Sequence, residues 1–145
     1  MSPEGLQRVV IDTNVWISAF LVRSGTAGLA VRHLLERRRP CFSEATFAEL
    51  ENRIWKPKFD RYLSLEDRHA LLHDVQALAN WVEVPRAVAA QAWCRDTDDD
   101  KFIHTALAAQ AAWLVTGDLD LLSVQPPQGL QILTPADALA ELNAA

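Results

Sequence analysis

The stretch Val9-Val10-Ile11-Asp12-Thr13-Asn14 is a short apolar run that ends in a carboxylate and two small hydrogen-bonding residues. Such a β-branched run is typical of a buried parallel strand, with Asp12 at its carboxyl end. Ligands of open α/β sheets bind at that edge, so Asp12 is either a site residue or the N-cap of the next turn. A second strand-like run, residues 112–118, also ends in an acid, Asp118. Two acids at two strand ends predict one shared negative pocket.

Strand-like and helix-like stretches alternate along the chain. Further strands are predicted at Cys41-Phe42 and over residues 80–84, 112–116 and 130–133. One helix is predicted from Thr26 to about Arg38, with Pro40 ending it, and two more begin after the N-caps Ser43 and Ser64. Further helices are predicted from the acidic residues 96–100 to Ala109 and from Thr134 to Leu142. This order predicts the α/β class, as a three-layer α/β/α sandwich with a mainly parallel sheet, in a single domain over residues 1–145.

The composition is that of an ordinary globular protein, because half of the 145 residues are apolar. There is neither an apolar run of roughly 18 residues, as a membrane span requires, nor a basic leader before an apolar stretch. We therefore expect a cytoplasmic protein without membrane contact. Cys41 and Cys94 lack the spacing of a metal site and are interpreted as reduced, semi-buried thiols.

The net charge of −5 argues against a domain that holds nucleic acid by bulk electrostatics alone. Local contacts stay open, because several basic residues cluster away from the acids: Arg37, Arg38, Arg39, Lys56, Lys58 and Arg61. The three arginines would equally suit the last turn of a helix, where positive charge opposes the helix dipole. The aromatic residues Trp55 and Phe59, interleaved with the lysines, would suit either a nucleic-acid contact or a core hinge.

The densest group of acids is Asp96-Thr97-Asp98-Asp99-Asp100, directly before an apolar helical stretch. Acids at a helix start are stabilised by the dipole, and one or two of them satisfy that need. Four within five residues repel one another, which favours a cation among them. Glycine-rich phosphate loops, a Gly-x-Ser-x-Gly elbow and a thiol with a histidine partner are all absent from the sequence. The acids therefore indicate Mg²⁺ or Mn²⁺ and phosphoryl chemistry.

The order of several short motifs resembles the PIN-domain ribonucleases over about residues 8–142. The motifs are Val-Ile-Asp12-Thr13-Asn14, Phe47-Ala48-Glu49-Leu50, Asp96-Thr97-Asp98-Asp99-Asp100-Lys101-Phe102, Val115-Thr116-Gly117-Asp118-Leu119-Asp120-Leu121-Leu122 and Ile132-Leu133-Thr134-Pro135. The chain looks most like the branch of toxins in prokaryotic toxin–antitoxin pairs, related to the VapC toxins. The resemblance implies a magnesium- or manganese-dependent endoribonuclease with RNA as substrate and an antitoxin protein as partner, in a family whose members commonly form homodimers.

The resemblance also implies roles for individual residues. The catalytic and metal-binding acids would be Asp12, Glu49, Asp100 and Asp118, with Asp98 and Asp120 as further ligands or nearby charges. Glu49 would position or deprotonate the attacking water. Hydrogen bonds from Thr13, Asn14 and Thr116 would orient the carboxylates or the water. Helical periodicity alone does not select Glu49, because it places this side chain opposite the apolar face and leaves Glu44 and Glu51 as equal candidates. Which of Asp98, Asp99 and Asp100 contacts the metal stays open.

Two other functions remain open at this point. An acid-pocket phosphatase of the haloacid dehalogenase kind also begins with a strand-end aspartate, but it needs a second acid where this chain has Asn14. A non-catalytic domain could use the same fold to bind RNA or a protein. The presence of all four matched acids favours the nuclease.

Overall fold

The sheet is built from five parallel strands. The structure is a computed structural model that describes residues 7–144. Its strands are β1 (Arg8–Ile11), β2 (Arg39–Phe42), β3 (Asn80–Trp81), β4 (Trp113–Val115) and β5 (Gln131–Leu133), in the spatial order β3-β2-β1-β4-β5. The chain adds β2 and β3 on one side of β1, and then β4 and β5 on the other. The strand order therefore reverses between β1 and β4, where Ile11 pairs with Val115. Open α/β sheets bind ligands beyond such a switch point.

Helices connect the strands. They are α1 (Thr13–Leu21), α2 (Thr26–Arg37), α3 (Glu44–Ile54), α4 (Leu65–Leu78), α5 (Arg86–Ala89), α6 (Asp100–Ala109), α7 (Leu119–Leu122) and α8 (Pro135–Ala144), with 3-10 turns at Pro57–Phe59 and Thr97–Asp99. The predicted N-caps of α3 and α4 are confirmed. Ser43 and Ser64 each accept a hydrogen bond from the backbone three residues on, and Thr46 and Asp67 return one. None of the helices in residues 7–144 has the length and hydropathy needed to cross a membrane.

Two hydrophobic cores lie on opposite faces of the sheet. Alternate residues of β1 belong to different cores, since side chains of a strand point to the two faces in turn. Val9 and Ile11 pack with residues of α1 to α4 and α8, whereas Val10 packs with residues of α6 and α7. This arrangement confirms the predicted three-layer α/β/α sandwich. Cys41 and Cys94 lie in the second core as free, buried thiols, as predicted.

The structure corrects two predicted boundaries. The third strand ends at Trp81 and not at Val84. The partner strand β2 ends at Phe42, whose carbonyl accepts a last hydrogen bond from the backbone N–H of Val82. The residues after Val82 therefore have no neighbouring strand residues to pair with. Helix α2 ends at Arg37, and Pro40 does not end it but lies within β2.

The arginine cluster lies at the amino ends of the strands. The Arg37 guanidinium donates to the carbonyl of Leu142 in α8, the Arg38 guanidinium lies 4.7 Å from the ring centroid of Trp113, and Arg39 begins β2. Of the three, Arg37 lies in the last turn of α2. The cluster therefore lies at the edge of the sheet opposite the strand-end acids.

The loop between α1 and α2 passes very close to the start of α2. A Cβ atom added at Gly28 would lie 2.3 Å from the backbone oxygen of Arg23, so residue 28 has no room for a side chain. The close approach seats α2 against the first core.

Candidate active site

Asp12 and Asp118 follow the neighbouring strands β1 and β4, as the sequence predicts. Asp12 is buried and occupies the N-cap position of α1, but its side chain makes no capping hydrogen bond. Its Oδ2 instead accepts a hydrogen bond from the Thr116 hydroxyl at 2.7 Å. Thr116 is thus the side-chain partner that the structure gives the Asp12 carboxylate.

Thr116 connects the two strand-end acids. Besides donating to Asp12, its Oγ1 accepts a hydrogen bond from the backbone N–H of Asp118 at 3.0 Å. Asp118 in turn is the N-cap of α7, and its Oδ1 accepts from the backbone N–H of Asp120 at 3.1 Å. Because Thr116 is fully buried, these bonds fix the position of both carboxylates.

Three partly buried acids form a group that we call the acid trio: Asp99, Asp118 and Asp120. One carboxylate oxygen of each lies within 4.8 Å of the others. Asp99 is supplied by the 3-10 turn before α6, and the other two by the start of α7. Oxygens bound to one divalent cation lie 2.0–2.6 Å from it, so this spacing suits a hard ion with small adjustments.

The pKa values show that negative charge is concentrated here. Burial raises the pKa of Asp12, helped by the charges of Glu49 and Asp118 and opposed by the hydrogen bond from Thr116. The pKa of Asp99 is raised to about 7, first by burial and then by its contact with Asp118 and by the charges of neighbouring acids. A bound cation would relieve this repulsion.

The other acids of the 96–100 stretch have different environments. Asp100 is buried, and its Oδ1 accepts hydrogen bonds from the backbone N–H groups of Trp93 at 3.2 Å and Cys94 at 2.6 Å. The Asp98 side chain is 68% exposed and forms an ion pair with Lys101. Asp96 caps the 3-10 turn. The structure thus brings Asp99 into the trio, and leaves outside it both Asp100 and Asp98, the ligands expected from the sequence.

Glu49 belongs to α3 and lies beside Asp12, where three neighbouring side chains hydrogen-bond or ion-pair with its carboxylate. Its side chain is 9% exposed, and its Oε2 accepts a hydrogen bond from Thr13 Oγ1 at 2.5 Å. Its Oε1 lies 3.2 Å from Lys101 Nζ and 3.6 Å from Arg53 Nη2. The surface position that periodicity indicates for Glu49 is therefore wrong, whereas the rival candidates Glu44 and Glu51 are exposed.

Two basic residues of the site were missed by the sequence reasoning. Arg53 lies one helical turn after Glu49, and its guanidinium also donates to Asn14 Oδ1 at 2.9 Å. The side-chain oxygen of Asn14 therefore contacts a guanidinium. Lys101 bridges Glu49 and Asp98. A signal for Arg53 was present, because an acid followed by a base four residues later is a common helix pair.

The basic residues proposed from the sequence as phosphate contacts do not reach the acids. Lys56, Lys58 and Arg61 are exposed and form no ion pair within residues 7–144. Trp55 packs against the first core and lies with its ring centroid 5.0 Å from that of His69, which supports the core-hinge alternative.

A surface cavity of about 330 Å³ adjoins the acid trio at Asp118. Its other lining residues come from α1, α2, the turn after β4 and the start of α8: Asn14, Val15, Ser18, Ala27, Gly117 and Pro135. The cavity therefore lies at the carboxyl edge of the sheet.

Known proteins resemble this chain in sequence and in fold. The sequence profile of the PIN domain matches residues 8–120. An uncharacterized protein of Methanocaldococcus jannaschii, MJ1680, is 33% identical over 119 residues, which cover 81% of this chain and 75% of that protein. The crystal structure of PAE2754 from Pyrobaculum aerophilum superposes with a TM-score of 0.62 at 16% identity, covering 97% of this chain and 92% of that one.

A second solved structure has the same fold. It is VapBC2 from Rickettsia felis, bound to a DNA fragment from their promoter, with a TM-score of 0.63 at 13% identity, covering 88% of this chain and 98% of the matched one. PIN domains are generally nucleases that use divalent metals, which agrees with the acid trio. The match of the PIN profile to most of the sequence, including both strand-end acids, shows that the chain belongs to the PIN domain family.

Proposed function

We propose that this protein is a magnesium- or manganese-dependent endoribonuclease and acts as the toxin of a toxin–antitoxin pair. The observation that carries the proposal is the acid trio beside buried Asp12, at the switch point of a PIN-domain sheet. Hard oxygen ligands and accumulated negative charge are what a Mg²⁺ or Mn²⁺ site requires.

The metal would be held by Asp99, Asp118 and Asp120, with Asp12 next to them. No lysine, arginine or histidine nitrogen of residues 7–144 lies within 4.0 Å of these carboxylates, so a bound cation would balance charge that no side chain of these residues balances. Once bound, the ion would polarise the phosphodiester and lower the pKa of the attacking water.

The remaining residues would position the reacting groups. Thr116 holds Asp12 and Asp118 at a fixed separation by its two hydrogen bonds. Glu49, held by three partners, would orient the attacking water. Asp100 would act indirectly, because its carboxylate accepts the backbone hydrogen bonds of Trp93 and Cys94 and so holds that segment against the start of α6.

The partner assignment is a separate part of the proposal. The Rickettsia felis structure that shares this fold is a VapBC2 assembly, and this supports a toxin with a dedicated antitoxin protein. A homodimer and a cytoplasmic location, both expected from the sequence, stay predictions.

RNA cleavage by the purified protein tests the proposal. We expect cleavage in Mn²⁺ or Mg²⁺ and none in chelator. Asp12→Asn and Asp118→Asn should each reduce the rate by more than about a hundredfold, the scale of losing one group that stabilises a transition state. Glu51→Gln is the matched control, since Glu51 is an exposed acid on the same helix as Glu49.

The possible results separate the functions. Cleavage at the wild-type rate by folded Asp118→Asn would contradict the nuclease proposal. Metal binding without any RNA cleavage would indicate the non-catalytic alternative. A phosphoryl group trapped on Asp12 would indicate the phosphatase.

A further inference from the structure

The charged residues of the candidate site fall into two groups. One consists of the acid trio with Asp12, and contains carboxylates alone. The other is a balanced set of two acids and two bases: Glu49, Asp98, Arg53 and Lys101. The two groups are neighbours, because the charge of Glu49 acts on Asp12.

In the balanced set, both oxygens of Glu49 are already occupied. Oε2 accepts from the Thr13 hydroxyl, and Oε1 faces Lys101 Nζ at 3.2 Å and Arg53 Nη2 at 3.6 Å. The Glu49 side chain is nearly buried, so water does little to screen these pairs.

Lys101 is held firmly in this position. Its ammonium lies between Glu49 and Asp98, at 3.2 and 3.3 Å, on the first turn of α6. Helix α6 is in turn tied to α3 by the buried hydrogen bond of 2.7 Å between the Ser43 and Thr105 hydroxyls, and Thr105 also donates to the carbonyl of Lys101. The ammonium is therefore part of the framework that supports Glu49.

We propose that the site binds one divalent ion, at the acid trio, and that the Lys101 ammonium takes the place of a second ion at Glu49. This inference rests on the proposed metal-dependent function. A divalent ion at Glu49 would meet the positive charge of Lys101, 3.2 Å from Oε1, and like charges at this distance oppose binding. Arg53 lies farther away, at 3.6 Å, and its 36% exposed side chain can turn into solvent. Glu49 is accordingly a positioning residue and not a metal ligand.

The experiment counts bound ions without using activity. Metal-free protein is titrated with Mn²⁺, and free Mn²⁺ is followed by electron paramagnetic resonance. Wild type and Lys101→Arg, which keeps the charge, should bind about one equivalent, and Lys101→Gln about two, since Glu49 and Asp98 then lack their shared cation. Lys58→Gln is the control, because Lys58 is an exposed lysine that pairs with no acid in the described part of the chain.

Each result decides the inference. Two equivalents on the wild type, or one on folded Lys101→Gln, would overturn it. If Lys101→Gln does not fold, Glu49→Gln decides: a count that stays at one supports the inference, and a count that falls below one shows that Glu49 is a metal ligand and overturns it. The proposed nuclease function fails separately, through absence of RNA cleavage by a protein that binds its ion.

Discussion

Replacing Asp99 by asparagine should stabilise the metal-free protein. Asp99 and Asp118 carboxylate oxygens lie within 4.8 Å of each other. Two unit charges at that separation repel by about 0.9 kcal/mol in water and by about 3.5 kcal/mol at an effective dielectric constant of 20. Because Asp99 is partly exposed, solvent screens much of this repulsion, and we expect a gain of about 1 kcal/mol at pH 8.

The sign of the pH dependence follows from the pKa of Asp99, which the fold raises from 3.8 to about 7. Between these values the folded state binds more protons than the unfolded state, so stability in chelator falls as the pH rises. The advantage of Asp99→Asn should therefore be greatest above pH 7 and shrink toward pH 4. It corresponds to an increase of about 2–4 °C in Tm for a domain of this size.

Thermal unfolding in chelator and in Mn²⁺ is the assay, with Asp98→Asn as the matched control. Asp98 is the exposed partner of Lys101, so its loss should change stability by less than about 0.5 kcal/mol. In Mn²⁺ the order of wild type and Asp99→Asn should reverse, because the wild type gains the binding free energy of the ion. A lower Tm for Asp99→Asn than for wild type in chelator at pH 8, or an equal gain for Asp98→Asn, would refute the reasoning.

Three further substitutions test other features of the structure. Thr116→Val removes the hydroxyl that orients Asp12 and should weaken Mn²⁺ binding by about 10–100-fold in calorimetry, so an unchanged Kd would contradict that role. Gly28→Ala places a Cβ atom 2.3 Å from a backbone oxygen and should cost about 1–3 kcal/mol in urea unfolding; a neutral result would show that the loop yields easily. Asp60→Ala should cost about 1–3 kcal/mol, because it leaves Arg68, only 3% exposed, without its partner at 3.0 Å, and Asp60→Glu should restore part of the loss.

Much of the fold was predictable because short sequence patterns indicate where its strands and helices begin and end. The run that ends at Asp12 indicates a buried strand, and Ser43 and Ser64 indicate helix starts. Parallel strands bring their carboxyl ends to one edge, so the pairing of Asp12 with Asp118 also followed from the sequence. The length of β3 did not, because it depends on where its partner strand ends.

The choice among the acids before α6 could not be made from the sequence. Adjacent aspartates have the same chemistry, and the passage from a 3-10 turn into an α-helix decides which one faces Asp118 and which one faces the core. The environment of Glu49 was equally hidden, because its partner Lys101 is 52 residues away in the chain. Periodicity reports the face that packs on the sheet, and says nothing about a face that packs on another helix.

The positions of the arginines have a consequence for how the molecule behaves in solution. Arg8 and Arg39 begin neighbouring strands, and the carboxylates follow the opposite ends. These charges contribute an electric dipole along the sheet. A polyanion that approaches the metal-free molecule should meet repulsion at the acidic end, so divalent ions should accelerate productive encounters as well as the bond cleavage itself.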